Sequence, residues 1–293
     1  MPELPEVETI RMGLEKYLVG HTINDIQVNA PKVFSGDKKL LLGLKIVKVR
    51  RFGKVLSIDL SKGYSILIHV KLTGQPIYRG PNLKNPPQMS KKVIGGLPGK
   101  HTHVIFKLDR NGYLYYNDVR KFGWIKVIKT LDVEKTGFIG KLGPEPFKDL
   151  SFETFKNILS KSKTNIKVLL MNQEKIAGVG NIYANDALWL SEINPKTVSN
   201  TITETKVKEL YDALLKVLKE GIKRGGASEL NFVTPDGTEG TYQEHFLVYG
   251  QDKKICPRCK KTKIVKIKLG GRGTYYCPNC QKLSLFKAAS LFI

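Results

Sequence analysis

Residues 54–72 read KVLSIDLSKGYSILIHVKL. Two runs rich in Val, Ile and Leu, 54–60 and 64–72, flank Ser61, Lys62 and Gly63. Short apolar runs bounded by turn residues predict buried strands, because a helix needs a longer 3.6-residue periodicity than either run offers. The pattern extends outward on both sides. Runs at 23–28 (INDIQV), 45–51 (KIVKVRR), 103–108 (HVIFKL), 113–117 (YLYYN) and 124–128 (WIKVI) have the same character. Before them, Val7, Ile10, Leu14, Tyr17 and Leu18 recur at helical spacing over 5–18, and Gly20 supplies a stop. The first half is therefore expected to be a β-sandwich or barrel led by one helix. Residues 79–100 (RGPNLKNPPQMSKKVIGGLPGK) read as an exposed Pro/Gly-rich loop.

The second half changes character. Ser151 is placed to cap a helix over 152–161, and a short helix is expected from Asn181 into LWLSE. Thr201 and Glu204 have capping-box spacing ahead of a long amphipathic helix through Val207, Leu210, Leu214, Val217, Leu218 and Ile222, with Gly225 and Gly226 as its stop. Residues 226–250 lack periodicity and read as a loop. The fold class is α+β multidomain. The expected division is an N-terminal domain over 1–130, a linker over 131–150, a helical domain over 151–250 and a cysteine-bearing segment over 251–285.

Charge narrows the function. Forty-nine Lys+Arg against 26 Asp+Glu give a net charge of +23. The basic residues are spread along the chain, so the folded surface itself is expected to displace counterions from nucleic-acid phosphates. Hydrophobic residues make up 41% of the sequence, which excludes a disordered tail protein. No apolar run approaches the ~18 residues of a membrane span. MPELPEVETI (1–10) carries acids where a secretory signal carries lysines, so a cytoplasmic location is expected, on the nucleoid if the source is bacterial.

Cys256-Pro-Arg-Cys259 and Cys277-Pro-Asn-Cys280 are two C-x2-C knuckles separated by 17 residues. Each knuckle aims two thiolates at one point, and four thiolates complete tetrahedral zinc with no open position. One structural Zn2+ is expected, stabilising a hairpin too small for its own core. Gly270, Gly271 and Gly273 surround Arg272, which lets an arginine at a hairpin tip approach phosphates closely.

The chemistry lies in MPELPEVE (1–8). Removal of Met1 would leave Pro2 as a free secondary amine, which can attack C1′ of a deoxyribose and form an iminium without a metal. Glu3 and Glu6 bring carboxylates close to the same point for proton transfer. The string resembles the signature of the formamidopyrimidine-DNA glycosylase family (the Fpg/Nei superfamily). The resemblance continues through RRFGKVL (50–56), IHVKLTG (68–74), KHTHVIF (100–106), DVRKFG (118–123), LGPEPF (142–147), KTNIKVLLM (163–171), GVGNIYANDALW (178–189), VYG (248–250) and GRGTYYCPNCQ (271–281).

What the resemblance implies is a β-sandwich, a helix–two-turns–helix module and a zinc finger. Together they would act as a bifunctional glycosylase and abasic-site lyase on double-stranded DNA containing oxidised or abasic sites. The chain is expected to act as a monomer and to excise oxidised purines. Pro2 becomes the nucleophile, Glu3 the acid/base of sugar-ring opening and Glu6 a support of the same pocket. Lys54 assists the lyase step, and Arg272 grips DNA and assists the last elimination. Asn181, Lys163, Lys167 and His101 match DNA-contacting positions. Arg120 and Phe122 match side chains that fill the gap left by a flipped nucleotide, and Leu72 stands where methionine is usual. In the lesion-capping loop, Ala227 and Ser228 fit the pattern, whereas Glu229 and Leu230 depart from it. The rivals are an endonuclease VIII-like enzyme for oxidised pyrimidines, a non-catalytic damage-binding protein and a zinc-ribbon factor. Leu4, where the endonuclease VIII branch carries Gly, and the Arg120/Phe122 pair favour the purine branch. Pro2, Glu3 and Lys54 together disfavour a non-catalytic protein. The stretch after Lys282, LSLFKAASLFI, has no functional reading.

Overall fold

The structure, a computed structural model, describes residues 1–283. The end of the segment expected over 251–285, and most of LSLFKAASLFI, lie outside the described residues. The described residues form two compact units, residues 1–142 with 220–244 and residues 143–219 with the described residues from 245 onward.

The first unit opens with α1 (Leu4–Leu18), which has Pro5 in its first turn, where a missing N–H costs nothing. Nine strands follow: β1 (Ile23–Val28), β2 (Phe34–Ser35), β3 (Ile46–Phe52), β4 (Val55–Leu60), β5 (Tyr64–His69), β6 (Gly74–Arg79), β7 (Thr102–Leu108), β8 (Tyr113–Asp118) and β9 (Trp124–Lys129). They form a four-stranded sheet in the order β1-β7-β8-β6 and a five-stranded sheet in the order β2-β9-β5-β4-β3. All pairings are antiparallel except β2 with β9. The sandwich encloses one core to which α1 contributes Val7, Ile10, Leu14, Tyr17 and Leu18, the residues expected from periodicity.

Every strand expected from the sequence is present, and two more appear. Pro76 lies inside β6, and β6 is an edge strand, where a residue without an N–H is tolerated. The other, β2, has only two residues, too few to show a period.

The second unit contains α2 (Phe152–Ser160), α3 (Ile166–Leu170), α4 (Asn181–Leu190) and most of α5 (Glu204–Lys223), then the hairpin β10 (Val265–Leu269) and β11 (Arg272–Tyr276). Ser151 caps α2 by accepting from Thr154 N–H at 3.1 Å. The capping box expected at Thr201 is not formed. Thr201 belongs to a preceding 3-10 turn and its hydroxyl donates to Val198 O, while the first helical bond runs from Val207 N–H to Thr203 O. The glycine stop behaves as expected. Gly225 and Gly226 have φ of 69° and 81°, and their N–H groups reach Ile222 O and Gly221 O, the Schellman pattern. Among the described residues, no helix is long and apolar enough to cross a membrane.

Residues 220–244, which the sequence reading groups with the helical domain, pack in the first unit. Hydrogen bonds explain this placement. Ala227 N–H reaches Glu6, Gln75 Nε2 reaches Asn231 O at 2.6 Å, and Lys92 pairs with Glu239 at 2.5 Å.

Candidate active site and DNA-binding surfaces

The first unit carries the chemistry-bearing N-terminus. Pro2, Glu3 and Glu6 are buried around the start of α1, and Met1 is 44% exposed, so its removal would disturb little packing. Glu3 stands at the N-cap, and its N–H donates to Glu6 Oε2 at 2.7 Å. Glu6 Oε1 accepts Ala227 N–H at 2.8 Å. One carboxylate thus fastens the helix start to the loop that follows α5. Gly226 permits this approach, since a Cβ there would lie 2.9 Å from Glu6 Cγ.

Lys54 is buried in the turn between β3 and β4, after Gly53 with φ of 55°. The same turn is braced by Arg51, which donates to Gly53 O at 3.0 Å and to Glu8 on α1 at 2.7 Å. Burial raises the Glu8 pKa, but hydrogen bonds and charge from Arg51 and Arg11 outweigh it and hold the carboxyl below its ordinary value. Sequence reasoning missed this brace, because Glu8 and Arg51 look like ordinary surface charges. His69 is also close to Lys54. Burial first, then the charges of Lys71 and Lys54, push its pKa down to about 3, so it stays neutral and adds no competing cation. Its Nδ1 accepts from Lys71 N–H at 3.0 Å.

Arg120 and Phe122 lie in the loop between β8 and β9, whose end packs beside His69: a Cβ at Gly123 would fall 2.9 Å from His69 O. Phe122 is 53% exposed, large for an aromatic ring in a well-packed unit, and the Arg120 guanidinium lies 4.5 Å from its centroid. Leu72 is half-buried in the turn before β6, and His101 is half-buried in the turn before β7. Burial, then Lys100, His103 and Lys121, lower the His101 pKa. In the loop after α5, Ala227 and Ser228 are buried. The Ser228 hydroxyl donates to Phe232 O and accepts Gly240 N–H, which leaves Glu229 and Leu230 as the exposed members.

In the second unit, Asn181 opens α4 behind Gly180. Gln173 shapes the preceding turn, accepting Gly178 N–H at 3.0 Å and donating to Val179 O at 2.7 Å. A glycine turn that leads into a helix N-terminus offers backbone N–H groups to an anion. Lys163 is exposed. Lys167 departs from expectation. Its side chain is fully buried, and Nζ donates to Gly273 O at 3.0 Å and Thr274 Oγ1 at 2.6 Å. A buried lysine with these acceptors anchors the β10–β11 hairpin and does not present the exposed ammonium expected of a DNA contact. The hairpin turn at Gly270 and Gly271, with φ of 55° and 73°, leaves Arg272 exposed at the tip.

The four cysteine sulfurs lie within 4.8 Å of one another. Zn–S bonds of about 2.3 Å in a tetrahedron require sulfurs about 3.8 Å apart. The Cys256–Cys280 and Cys259–Cys277 sulfur pairs are both at 3.8 Å. The donor set and spacing fit one structural zinc ion. Gln281 ties this finger to the residues after α4, accepting Cys277 N–H and donating to Ile193 O.

Comparison with known proteins agrees along nearly the whole chain. Residues 1–125 match the formamidopyrimidine-DNA glycosylase N-terminal domain, 142–232 the formamidopyrimidine-DNA glycosylase H2TH domain, and 253–283 the zinc finger found in FPG and IleRS. A formamidopyrimidine-DNA glycosylase of Pelotomaculum thermopropionicum is 40% identical over 289 residues, 97% of this chain and all of the relative. The wild-type Lactococcus lactis Fpg, solved with DNA containing N7-benzyl-Fapy-dG, superposes with a TM-score of 0.83 at 36% identity, covering 96% of this chain and all of that one. The same protein with DNA containing an abasic site gives 0.82 at 35%, covering 96% and 99%. Matched in all three of its parts and over almost its full length, the chain belongs to the formamidopyrimidine-DNA glycosylase family.

Proposed function

We propose that this chain is a base-excision-repair glycosylase and abasic-site lyase. It acts as a monomer in the cytoplasm on double-stranded DNA containing oxidised purines or abasic sites. Once Met1 is removed, the Pro2 nitrogen attacks C1′ of the damaged nucleotide. The bond from C1′ to the base breaks, the base leaves with a proton, and Glu3 moves the proton that opens the sugar ring. The resulting iminium withdraws electrons. Loss of a C2′ proton then expels the 3′ phosphate, and loss of a C4′ proton expels the 5′ phosphate. Lys54 and Arg272 assist these eliminations. Arg120, Phe122 and Leu72 fill the space of the flipped nucleotide, and Asn181, Lys163 and His101 contact the DNA. The four cysteines hold the finger with zinc, whose role is structural.

The observation that carries this reading is the placement of two buried carboxylates, Glu3 and Glu6, at the helix start directly after Pro2. The L. lactis complexes, one with a formamidopyrimidine derivative and one with an abasic site, support the substrate class. The test is a panel of duplexes with 8-oxoguanine opposite C, 8-oxoguanine opposite A, thymine glycol, or a preformed abasic site. Preferred cutting at 8-oxoguanine opposite C, with phosphate at both ends of the gap, is the expected result. Preference for thymine glycol would place the chain with the pyrimidine enzymes, and binding without cutting would make it a damage-binding protein.

A further inference from the structure

We propose that Asp118, together with Thr73, is a positioning residue that sets Leu72, Arg120 and Phe122 in a common register. The inference rests on the reading of those three side chains as the wedge. Gly74 at the start of β6 pairs with Asp118 at the end of β8, so the turn entering one strand and the loop leaving the other begin on the same rung. Asp118 is fully buried there. Its Oδ1 accepts from the Thr73 hydroxyl and from Arg120 N–H at 3.1 Å, and its Oδ2 accepts Gly123 N–H at 2.7 Å. Thr73 Oγ1 also accepts Arg120 N–H at 3.1 Å. Leu72 directly precedes Thr73 and Phe122 directly precedes Gly123, so one carboxylate holds Arg120 and Gly123 by their backbone N–H groups and Thr73 by its hydroxyl.

Other contacts hold the knot itself. The Asp118 carbonyl accepts His103 Nε2 at 2.7 Å and Lys121 N–H at 3.3 Å. The Tyr116 hydroxyl lies between two glycines: a Cβ would fall 2.6 Å from it at Gly74 and 1.8 Å from it at Gly123. Both loops are thus packed against one phenol, with no room for a side chain at either glycine. Such a knot lets the wedge enter the stack as a preset unit, without ordering three side chains at the moment of flipping.

The test compares full-length Thr73→Val, Thr73→Ser and Asp118→Asn with Arg120→Ala and Phe122→Ala. Two readouts are taken: single-turnover excision of 8-oxoguanine, and fluorescence of 2-aminopurine placed opposite the lesion, which rises as the wedge unstacks it. Thr73→Val is expected to slow excision about 10- to 100-fold, the scale of a small misplacement of a working group. It is also expected to suppress the fluorescence rise, with Thr73→Ser restoring both. Cleavage at a preformed abasic site should fall much less, because that site needs less unstacking. Asp118→Asn should behave like Thr73→Val. The proposal is overturned if Arg120→Ala and Phe122→Ala suppress the rise while Thr73→Val, folded by thermal melting, matches wild type. It is also overturned if Thr73→Val loses excision and abasic-site cleavage equally. If Arg120→Ala and Phe122→Ala themselves leave both readouts intact, the wedge reading has failed instead.

Discussion

Both carboxylate oxygens of Glu6 accept backbone N–H groups, from Glu3 at 2.7 Å and from Ala227 at 2.8 Å. Glutamine at this position presents an NH2 to one of the two donors and leaves it without an acceptor. Glu6→Gln is expected to cost about 1–3 kcal/mol of stability, the desolvation penalty of an unsatisfied buried group. Chemical denaturation reads that loss, and faster hydrogen exchange at Ala227 locates it; unchanged exchange there would show that Glu6 is not the tie. The four cysteines were legible as a zinc site because their spacing carries it, and the N-terminal string was legible through its resemblance to the family. Asp118 was not, since an aspartate closing a strand reads as a turn residue and its partner Thr73 lies 45 residues away. Lys167 misled for a related reason. The resemblance matches it to a DNA-contacting position, and only the tertiary fold supplies the carbonyl and hydroxyl of Gly273 and Thr274 that take its ammonium.

At the scale of elements, α1 and the β3–β4 hairpin are joined by Glu8 and Arg51. The folded-state pKa of Glu8 lies below the ordinary 4.5. The brace therefore contributes its full stability above about that value and loses it as pH falls through the lowered folded pKa. Glu8→Gln should lower stability near neutral pH by about 1–2 kcal/mol and flatten the acid limb of the stability curve, as measured by urea unfolding across pH. An acid limb identical to that of wild type would contradict the assignment. The elements themselves were legible wherever the period had room to show. The helix over 5–18 and the seven apolar runs became α1 and seven strands. β6 escaped notice because Pro76 interrupts its pattern, and the edge position that accommodates the proline is a property of the sheet. The start of α5 was misplaced because Thr201 and Thr203 are both plausible caps, and the preceding 3-10 turn takes the first.

For the whole molecule, the net charge of +23 draws the protein to any DNA, and phosphate contacts alone carry no information about damage. The first unit holds Pro2, Glu3, Glu6 and Lys54, all buried, to which the proposed attack on the sugar is assigned. The second unit offers an exposed Arg272, the Asn181 helix start and a zinc-held finger. On the proposed mechanism, the amine of Pro2 forms the covalent link to the sugar. The most direct test of this step is borohydride trapping on DNA with a single abasic site, followed by peptide mass mapping of the adduct. A reduced, covalent DNA adduct on the N-terminal peptide is expected, with Met1 absent and the mass added at Pro2. A wild-type protein that retains Met1, or an adduct that maps to a lysine, would contradict it.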